Sequence, residues 1–131
     1  MNEIRPNKIK INPIDYEYDA SVDALMIKVP EYEYEKSVSL NNNVIMDLNK
    51  ENKFIALEIL NASHVLGIVN NKYSLKKIIK IELHIVVTND RISVNSIFTL
   101  PIHNKEVVKE TNANIINDIN APVMITNLVT A

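Results

Sequence analysis

The stretch N-N-N-V-I-M-D-L-N, from Asn41 to Asn49, has a close match near the C-terminus in N-A-N-I-I-N-D-I-N, from Asn112 to Asn120. The two stretches are offset by 71 residues, and the similarity extends beyond them. Compared without gaps, residues 14–49 and 85–120 are identical at nine of 36 positions, and their apolar positions stay in phase. Such a period is too long for a solenoid. It predicts one small folding unit built twice, with the Asn and Asp residues at its turns.

Strand patterns dominate the chain around these two stretches. Polar and apolar residues alternate over 14–19 and again over 31–40, as they do in half-buried strands. Asn89 and Asp90 separate two long apolar runs, and both residue types favour hairpin turns. Helix competes with strand only over residues 63–77, where serines can cap short helical turns.

These patterns predict a mainly β fold made of two tandem antiparallel β-meander repeats, packed as a sandwich or partial barrel. The first copy covers residues 1–63, a short helical connection covers 64–77, and a second, diverged copy covers 78–131. A single copy would expose an apolar face and open strand edges. We therefore expect the two copies to pack together as one compact unit.

Composition excludes several classes of site. The chain has 131 residues and no cysteine, so it offers no disulfide, no thiol nucleophile and no cysteine ligand for zinc. Its single glycine, Gly67, excludes the phosphate-binding loops that need several glycines for close backbone approach. We predict no cofactor from these features.

Charge and hydropathy limit the partners. The net charge is −2, arginine occurs only at Arg5 and Arg91, and aromatic residues are few, which argues against nucleic-acid binding. The first ten residues lack the apolar core of a signal peptide, and no apolar run is long enough to span a bilayer. These features predict a cytoplasmic protein without a membrane segment.

Three sequence blocks carry a resemblance to a known family. They are Y-D-x-x-x-D-A-L-x-I (residues 18–27), V-I-M-D-L-N (44–49) and A-L-E-I-L-N-A-S (56–63). Together they resemble a family of small prokaryotic proteins known only as a domain of unknown function, and the rest of the chain is similar to its longer, archaeal form. The resemblance implies no activity. Some members look like companions of small toxin-like proteins, which implies an antitoxin-like binding role by association.

The blocks contain four acidic residues that could act in binding, namely Asp19, Asp23, Asp47 and Glu58. If they converge, they could hold a hard metal ion or transfer protons. The alternative is that the aspartates accept backbone hydrogen bonds at hairpin ends. Asp19 and Asp47 recur in the second copy as Asp90 and Asp118, whereas Asp23 and Glu58 do not recur. The second pair is therefore the better candidate for a role confined to the first copy.

Two further groups of side chains could contact partners. The basic cluster comprises Lys72, Lys76, Lys77 and Lys80, which would form a solvated helix face or bind an anionic partner. Tyr32 and Tyr34 lie on one side of a predicted strand, where we prefer a core role to a partner surface. The three histidines lack the spacing of metal ligands, and we predict no metal site.

We interpret the chain as a non-enzymatic module that binds another protein, and a homodimer is compatible with this interpretation. The missing nucleophile motifs, the missing phosphate loops and the many predicted strand edges favour it. The rival interpretation is a metal-dependent enzyme or metal-binding protein that uses the carboxylates of the first copy. The sequence leaves the question of enzymatic activity open.

Overall fold

The protein is described by a computed structural model that covers residues 13–130, and it is mainly β, with 56% strand and 10% helix. The strands are β1 (Pro13–Asp19), β2 (Ala24–Lys28), β3 (Lys36–Ser39), β4 (Val44–Leu48), β5 (Phe54–Ile59), β6 (Lys80–Val87), β7 (Arg91–Ile102), β8 (Lys105–Ile116) and β9 (Met124–Thr130). The short helix α1 (Ala62–Val65) and a 3-10 segment (Val69–Lys76) form the helical connection. None of the helices in the described range is long and apolar enough to cross a membrane.

All nine strands belong to one sheet in the order β3-β4-β5-β2-β1-β9-β6-β7-β8, and the sheet curls into a half-barrel. Neighbouring strands are antiparallel except β1 and β9. These two run parallel, and within residues 13–130 they pair through Pro13 with Val129 and Ile14 with Thr130. The mainly β fold with a short helical connection is therefore confirmed, and the sheet has the form of a partial barrel.

The core fills the concave face of the sheet. Alternate residues of each strand point into it, for example Leu25 and Ile27 on β2 and Leu83 and Ile85 on β6, because side chains alternate across a strand. The helical connection adds Leu75, which is fully buried. One apolar cluster thus includes residues from the first half (residues 13–63), the connection and the second half (residues 78–130).

The two sequence copies pair their strands differently. In the first half β5 lies between β2 and β4, whereas in the second half β9 lies beside β6. Asn41 forms a turn because its Oδ1 atom accepts backbone hydrogen bonds from Asn43 and Val44, both at 2.8 Å. Its counterpart Asn112 lies inside the 12-residue strand β8, where its Oδ1 atom accepts from Asn95 at 2.5 Å. The expected turn at Asn112 was therefore wrong, and the repeat stays a prediction.

The predicted strand over residues 31–40 begins only at Lys36. Since β2 and β3 are separated in the sheet by β5 and β4, the chain must cross both strands before β3 can start. The crossing is tied down by the backbone bonds from Val29 to Ile55 and from Glu35 to Leu48, each 2.9 Å long. The segment 31–35 is exposed throughout, so the preferred core role of its two tyrosines was wrong.

A shared core predicts that both halves unfold together. Leu57→Ala and Leu83→Ala each empty a fully buried site, one in each half, and each should lower the free energy of unfolding by about 2–5 kcal/mol. All five tyrosines precede residue 74, so tyrosine fluorescence reports on the first half and the connection, while far-UV circular dichroism reports on every strand.

In urea unfolding, both probes should therefore move together for both variants. Ile125→Ala is the control, because Ile125 is 77% exposed and its loss should change stability by less than about 0.5 kcal/mol. A fluorescence midpoint that shifts for Leu57→Ala and stays fixed for Leu83→Ala would contradict the shared core.

Candidate functional site

The first polar cluster surrounds Asp23, at the turn between β1 and β2. Its Oδ1 atom accepts the hydroxyl of Tyr18 at 2.7 Å and the backbone N–H of Ser63 at 3.0 Å. The Oδ2 atom accepts the hydroxyl of Ser63 at 2.6 Å and lies 3.5 Å from Nδ1 of His64. The backbone oxygen of Asp23 also accepts the N–H of Ala62 at 2.9 Å.

This cluster caps α1 from a distant turn. Asn61, the residue before the helix, has a left-handed backbone with φ of 52° and makes no capping hydrogen bond through its side chain. The unpaired N–H groups of the first helical turn need acceptors, and Asp23 supplies them. Asp23 itself has φ of 50°, a conformation that aspartate tolerates better than most residues. The arrangement therefore fastens α1 to the β1–β2 turn.

The protonation states fit a structural role. Burial by itself raises the pKa of Asp23, but the hydrogen bonds from Ser63 and Tyr18 outweigh it and hold that pKa below its usual value. Burial and the neighbouring Asp23 raise the pKa of Tyr18 far above its ordinary value. Ser63 is buried, and its hydroxyl donates to Asp23 rather than to His64. The cluster is thus not a serine–histidine nucleophile pair.

The second polar cluster joins Asp47 and Glu58 on the convex face of β4 and β5. Asp47 lies opposite Ala56, so Glu58, two residues further along β5, is its diagonal neighbour on the same face. Ser37 donates its hydroxyl to Oδ1 of Asp47 at 2.7 Å, and Tyr32 donates to Oδ2 at 3.3 Å. Asp47 is only 1% exposed, although it lies outside the core.

Asp47 and Glu58 form a carboxyl pair in which Glu58 keeps its proton to a higher pH than an isolated glutamate does. Burial, a hydrogen bond to Asp47 and the charge of Asp47 all raise the pKa of Glu58. Burial and the same carboxylate raise the pKa of Tyr32. Two adjacent carboxyl groups do not both ionise readily, so the pair holds one proton over a wider pH range than an isolated glutamate would.

The four predicted acidic residues therefore belong to different networks. Asp47 and Glu58 meet, Asp23 binds α1, and Asp19 accepts the backbone N–H and the hydroxyl of Ser21 at 3.0 and 2.6 Å. The hydrogen bonds from Ser21 lower the pKa of Asp19. Within residues 13–130, no three side chains of His, Cys, Asp or Glu are placed to hold a metal ion together.

The lysine cluster is partly engaged in local contacts. Nζ of Lys72 lies 3.4 Å from the backbone oxygen of Ala20 and 5.5 Å from the ring centroid of Tyr73. Nζ of Lys80 lies 3.5 Å from the carboxylate of Glu82. Lys76 and Lys77 are exposed at the end of the connection, and an anionic partner for them stays a prediction.

Sequence reasoning missed several members of these clusters. Tyr18 and Ser63 lie in the recognised blocks, which could have indicated them, whereas Ser37 carries no such signal. A cavity of about 440 Å³ near the junction of β1 and β9 was also missed. Apolar residues from both halves line it, among them Val29, Phe54, Met124 and Leu128.

Comparison with known proteins places the chain in a family. A family model described as a protein of unknown function, DUF2283, matches residues 15–63. An uncharacterized protein of Methanocaldococcus jannaschii is 31% identical over 99 residues, which cover 75% of this chain and 81% of that protein. The chain belongs to the DUF2283 family. The resemblance to a family of unknown function is thereby confirmed, and the DUF2283 match contains both polar clusters except for His64.

A second archaeal relative covers more of the chain. It is a protein of Methanosarcina mazei, provisionally named a hypoxanthine phosphoribosyltransferase, and it is 29% identical over 108 residues. The alignment covers 82% of this chain and 85% of that protein. No solved structure matches the chain significantly.

Asp23→Asn should remove the negative charge of Asp23 and keep the size of the side chain. Asparagine also tolerates the left-handed backbone conformation of this residue. We expect a loss of about 2 kcal/mol in the free energy of unfolding, since charged acceptors are lost around α1. The lowered pKa makes this contribution present above about pH 4 and lost as the pH falls through the pKa of the folded protein. Urea unfolding between about pH 3 and pH 7 measures both effects.

Asp19→Asn is the matched control, because Asp19 is exposed and occupies the same turn. Equal losses for the two variants at neutral pH would contradict the capping role of Asp23.

Glu58→Gln should stabilise the protein increasingly as the pH rises. The raised pKa means that Glu58 favours folding below its unfolded pKa, and that this contribution disappears as the pH rises through the folded pKa. A glutamine keeps a donor for Asp47 without ever ionising. We expect a gain of about 1 kcal/mol at pH 8 and little change at pH 4, measured by urea unfolding. Glu51→Gln, at an exposed turn, should show no such trend, and a gain independent of pH would refute the shared proton.

Proposed function

We propose that this protein is a non-enzymatic protein-interaction module. Its binding surface is the convex face of its own first half, and its partner presents a basic surface. The observation that carries the proposal is the distribution of charge. Residues 13–63 contain ten carboxyl groups and four lysines, a formal net charge of −6 when every carboxyl group is ionised, whereas the whole chain has a formal net charge of −2. Such asymmetry is a physical argument for association with positively charged partners.

The sheet geometry concentrates this charge on one face. Asp15, Glu17 and Asp19 alternate with the inward-facing residues of β1, so their carboxylates lie on the convex side. Glu58 lies on the same side, and together with Glu17 and Asp19 it lines a shallow depression of about 220 Å³. In the described structure only Glu17 of these residues has a lysine within salt-bridge distance, Lys28 at 4.0 Å.

The crossing segment 31–35 adds aromatic anchors to the acidic face. Tyr32 and Tyr34 are 39% and 54% exposed, and their ring centroids lie 6.4 Å apart. Tyr32 is held by Asp47, and the hydroxyl of Tyr34 lies 3.0 Å from that of Ser37, so both rings are positioned before a partner arrives. Tyrosine is enriched in protein–protein interfaces, and complementary charges steer association, so exposed tyrosines beside acidic residues fit a partner with a basic surface.

Three glutamates alternate with the two tyrosines in the sequence. Glu31, Glu33 and Glu35 are exposed and form no salt bridge within the described range. A partner could therefore neutralise them without first breaking an existing ion pair. An antitoxin-like role is the specific form of this proposal in which the partner is a small basic toxin-like protein, and the family resemblance supports it by association.

Two enzymatic readings receive less support. The metal-dependent alternative would have to use the Asp47–Glu58 pair, and no observation favours it over proton sharing.

The name of the Methanosarcina mazei relative refers to phosphoribosyl transfer. Phosphate sites commonly use glycine-rich loops, and this chain has one glycine, Gly67, so its residues supply no argument for that activity.

Binding should depend on the acidic residues of the crossing segment. A partner is first identified by co-purification with the tagged protein from its native host and then purified. Reversing the charges of Glu31, Glu33 and Glu35 to lysine should weaken binding of this partner at least about tenfold, as measured by calorimetry, because favourable Coulomb attraction becomes repulsion. Binding of the unmodified protein should also weaken as salt increases.

The control reverses three exposed acidic residues of the second half, Asp90, Glu106 and Asp118, and should leave the affinity within about twofold. A partner that binds both triple variants equally well would place the interface elsewhere. Repeated recovery of no protein partner would count against the interaction module itself.

A further inference from the structure

β8 is a long edge strand whose outer side has no strand partner in the described part of the chain. It spans 12 residues, ends the strand order and pairs with β7 alone. The other edge strand, β3, has only four residues. Short edges resist unwanted pairing, whereas a long open edge exposes a row of backbone donors and acceptors. The two edges of this sheet therefore differ in their capacity to bind another strand.

The hydrogen-bond phase shows which residues of β8 face outward. The N–H of Asn117 donates to the backbone oxygen of Asp90 at 2.8 Å. These residues are opposed in the register that pairs Arg91 with Ile116. In an antiparallel pair alternate residues bond to the neighbour, so the odd-numbered residues of β8 bond to β7 and the even-numbered ones direct their backbone groups outward.

The same even-numbered residues expose their side chains on the convex face. Val108 and Ile116 are the large apolar residues among them, and each is 62% exposed. Charge protects only one half of the edge. Lysines and glutamates occur at positions 105, 106, 109 and 110, whereas Thr111–Ile116 carries no charge. An uncharged open segment of six residues is the part of an edge that natural proteins usually block.

We infer that the outer edge of β8 pairs in antiparallel fashion with β8 of a second copy of this chain, with Asn112 opposite Asn112 on the two-fold axis. A two-fold axis perpendicular to the sheet makes the contact self-complementary. Each opposed pair of even-numbered residues from 108 to 116 then exchanges two backbone hydrogen bonds. The two sheets become one continuous sheet across the axis.

The side chains select this register. With Asn112 on the axis, Val108 faces the second copy's Ile116, so the two exposed apolar side chains cover each other on both sides of the axis. With Glu110 on the axis, two like charges would face each other. With Thr111 on the axis, Val108 would face an asparagine, and with Ala113 on the axis Glu110 would face an isoleucine.

Charge complementarity supports the same arrangement. Glu110 would lie opposite the second copy's Asn114, and in each copy Nη2 of Arg91 contacts Oδ1 of Asn114. The carboxylate of one copy thus approaches the guanidinium of the other. Asn112 also ends a row of polar residues that runs across the convex face in register, through Asn95 and His84 to Asn127. Self-pairing would continue this row into the second copy.

The contact is small. Pairing of nine residues from each chain buries less surface than a standard interface, so we expect a dissociation constant on the order of micromolar. The site lies at the opposite end of the sheet order from β3 and from the acidic crossing segment. Dimerisation through β8 and binding of a basic partner are therefore separate properties that can fail separately.

Sedimentation velocity should show the native chain shifting from monomer to dimer between about 1 and 500 µM. Asn112→Asp places two carboxylates against each other on the axis and should weaken the dimer at least about tenfold. Asn127→Asp is the control, because Asn127 belongs to the same polar row on the inner strand β9, and it should leave dimerisation unchanged. A chain that stays monomeric at every concentration overturns the proposal.

Cross-linking tests the register without depending on the stability of the Asp variant. The chain has no cysteine, so Asn112→Cys introduces a single thiol on the axis. Its Cα atom would lie about 5.5 Å from that of the second copy, within the range of a disulfide. Mild oxidation should give a covalent dimer on a non-reducing gel, and Asn127→Cys should not. Cross-linking of Asn127→Cys in preference to Asn112→Cys overturns the proposed interface.

Discussion

The apolar side chains on the concave face of the sheet are shielded from solvent only when the two halves pack together. Among the described residues, backbone pairing between the halves comprises Pro13 with Val129 and Ile14 with Thr130. Side-chain packing also joins the halves, with Ile14 of β1 and Leu128 of β9 buried in the same cluster. The burial of large apolar side chains is worth far more than a few additional backbone bonds. The core beneath this seam is continuous across both halves.

The helical connection completes this core, and a polar contact holds it there. Leu66 and Leu75 close the cluster from the side of the connection. A helix of four residues has little stability of its own, so its position depends on tertiary contacts. The carboxylate of Asp23 supplies one such contact by binding the N–H and the hydroxyl of Ser63. The first and third family blocks therefore contain the two residues of this contact, Asp23 and Ser63.

The convex face differs from the core because some of its side chains are exposed to solvent and others, such as Asp47, are buried. Tyr32 and Ser37 satisfy Asp47 where the crossing segment passes over it. The proximity of Asp47 and burial raise the pKa of Glu58, which disfavours a second negative charge at this point. Burial of a carboxylate outside the core is costly unless neighbours pair with it. The crossing segment thus contacts the Asp47–Glu58 pair through Tyr32, and it also contains both exposed tyrosines.

Local patterns predicted the strands well and their partners poorly. Alternation gave the mainly β fold and the hairpin at Asn89 and Asp90, since these features depend on nearby residues. The alternation of Tyr32 and Tyr34 was misleading because β3 has to bypass two strands, which no local pattern reveals. Asn112 is followed by a sequence similar to the one that follows the turn residue Asn41, but the side chain of Asn95 donates to it within β8.

The site showed the same division between local and distant information. For Asp19, the alternative interpretation as a hydrogen-bond acceptor in a turn was correct. This could be predicted because its donor, Ser21, is only two residues away. The partner of Asp23 is 40 residues away, and the approach of Asp47 to Glu58 depends on the register of β4 and β5. Residue types were therefore sufficient to nominate these carboxylates, and strand register was needed to group them.

The parallel seam has a consequence for the order in which the fold can form. β1 is the first strand of the described chain and β9 is the last, and yet they are neighbours. During synthesis, the side of β1 that pairs with β9 stays uncovered until β9 has left the ribosome. Such long-range pairing is slow, and the exposed edge of the waiting strand is open to wrong partners meanwhile. The formation of β9, rather than the formation of either half, is then the condition for a continuous nine-stranded sheet in the described range.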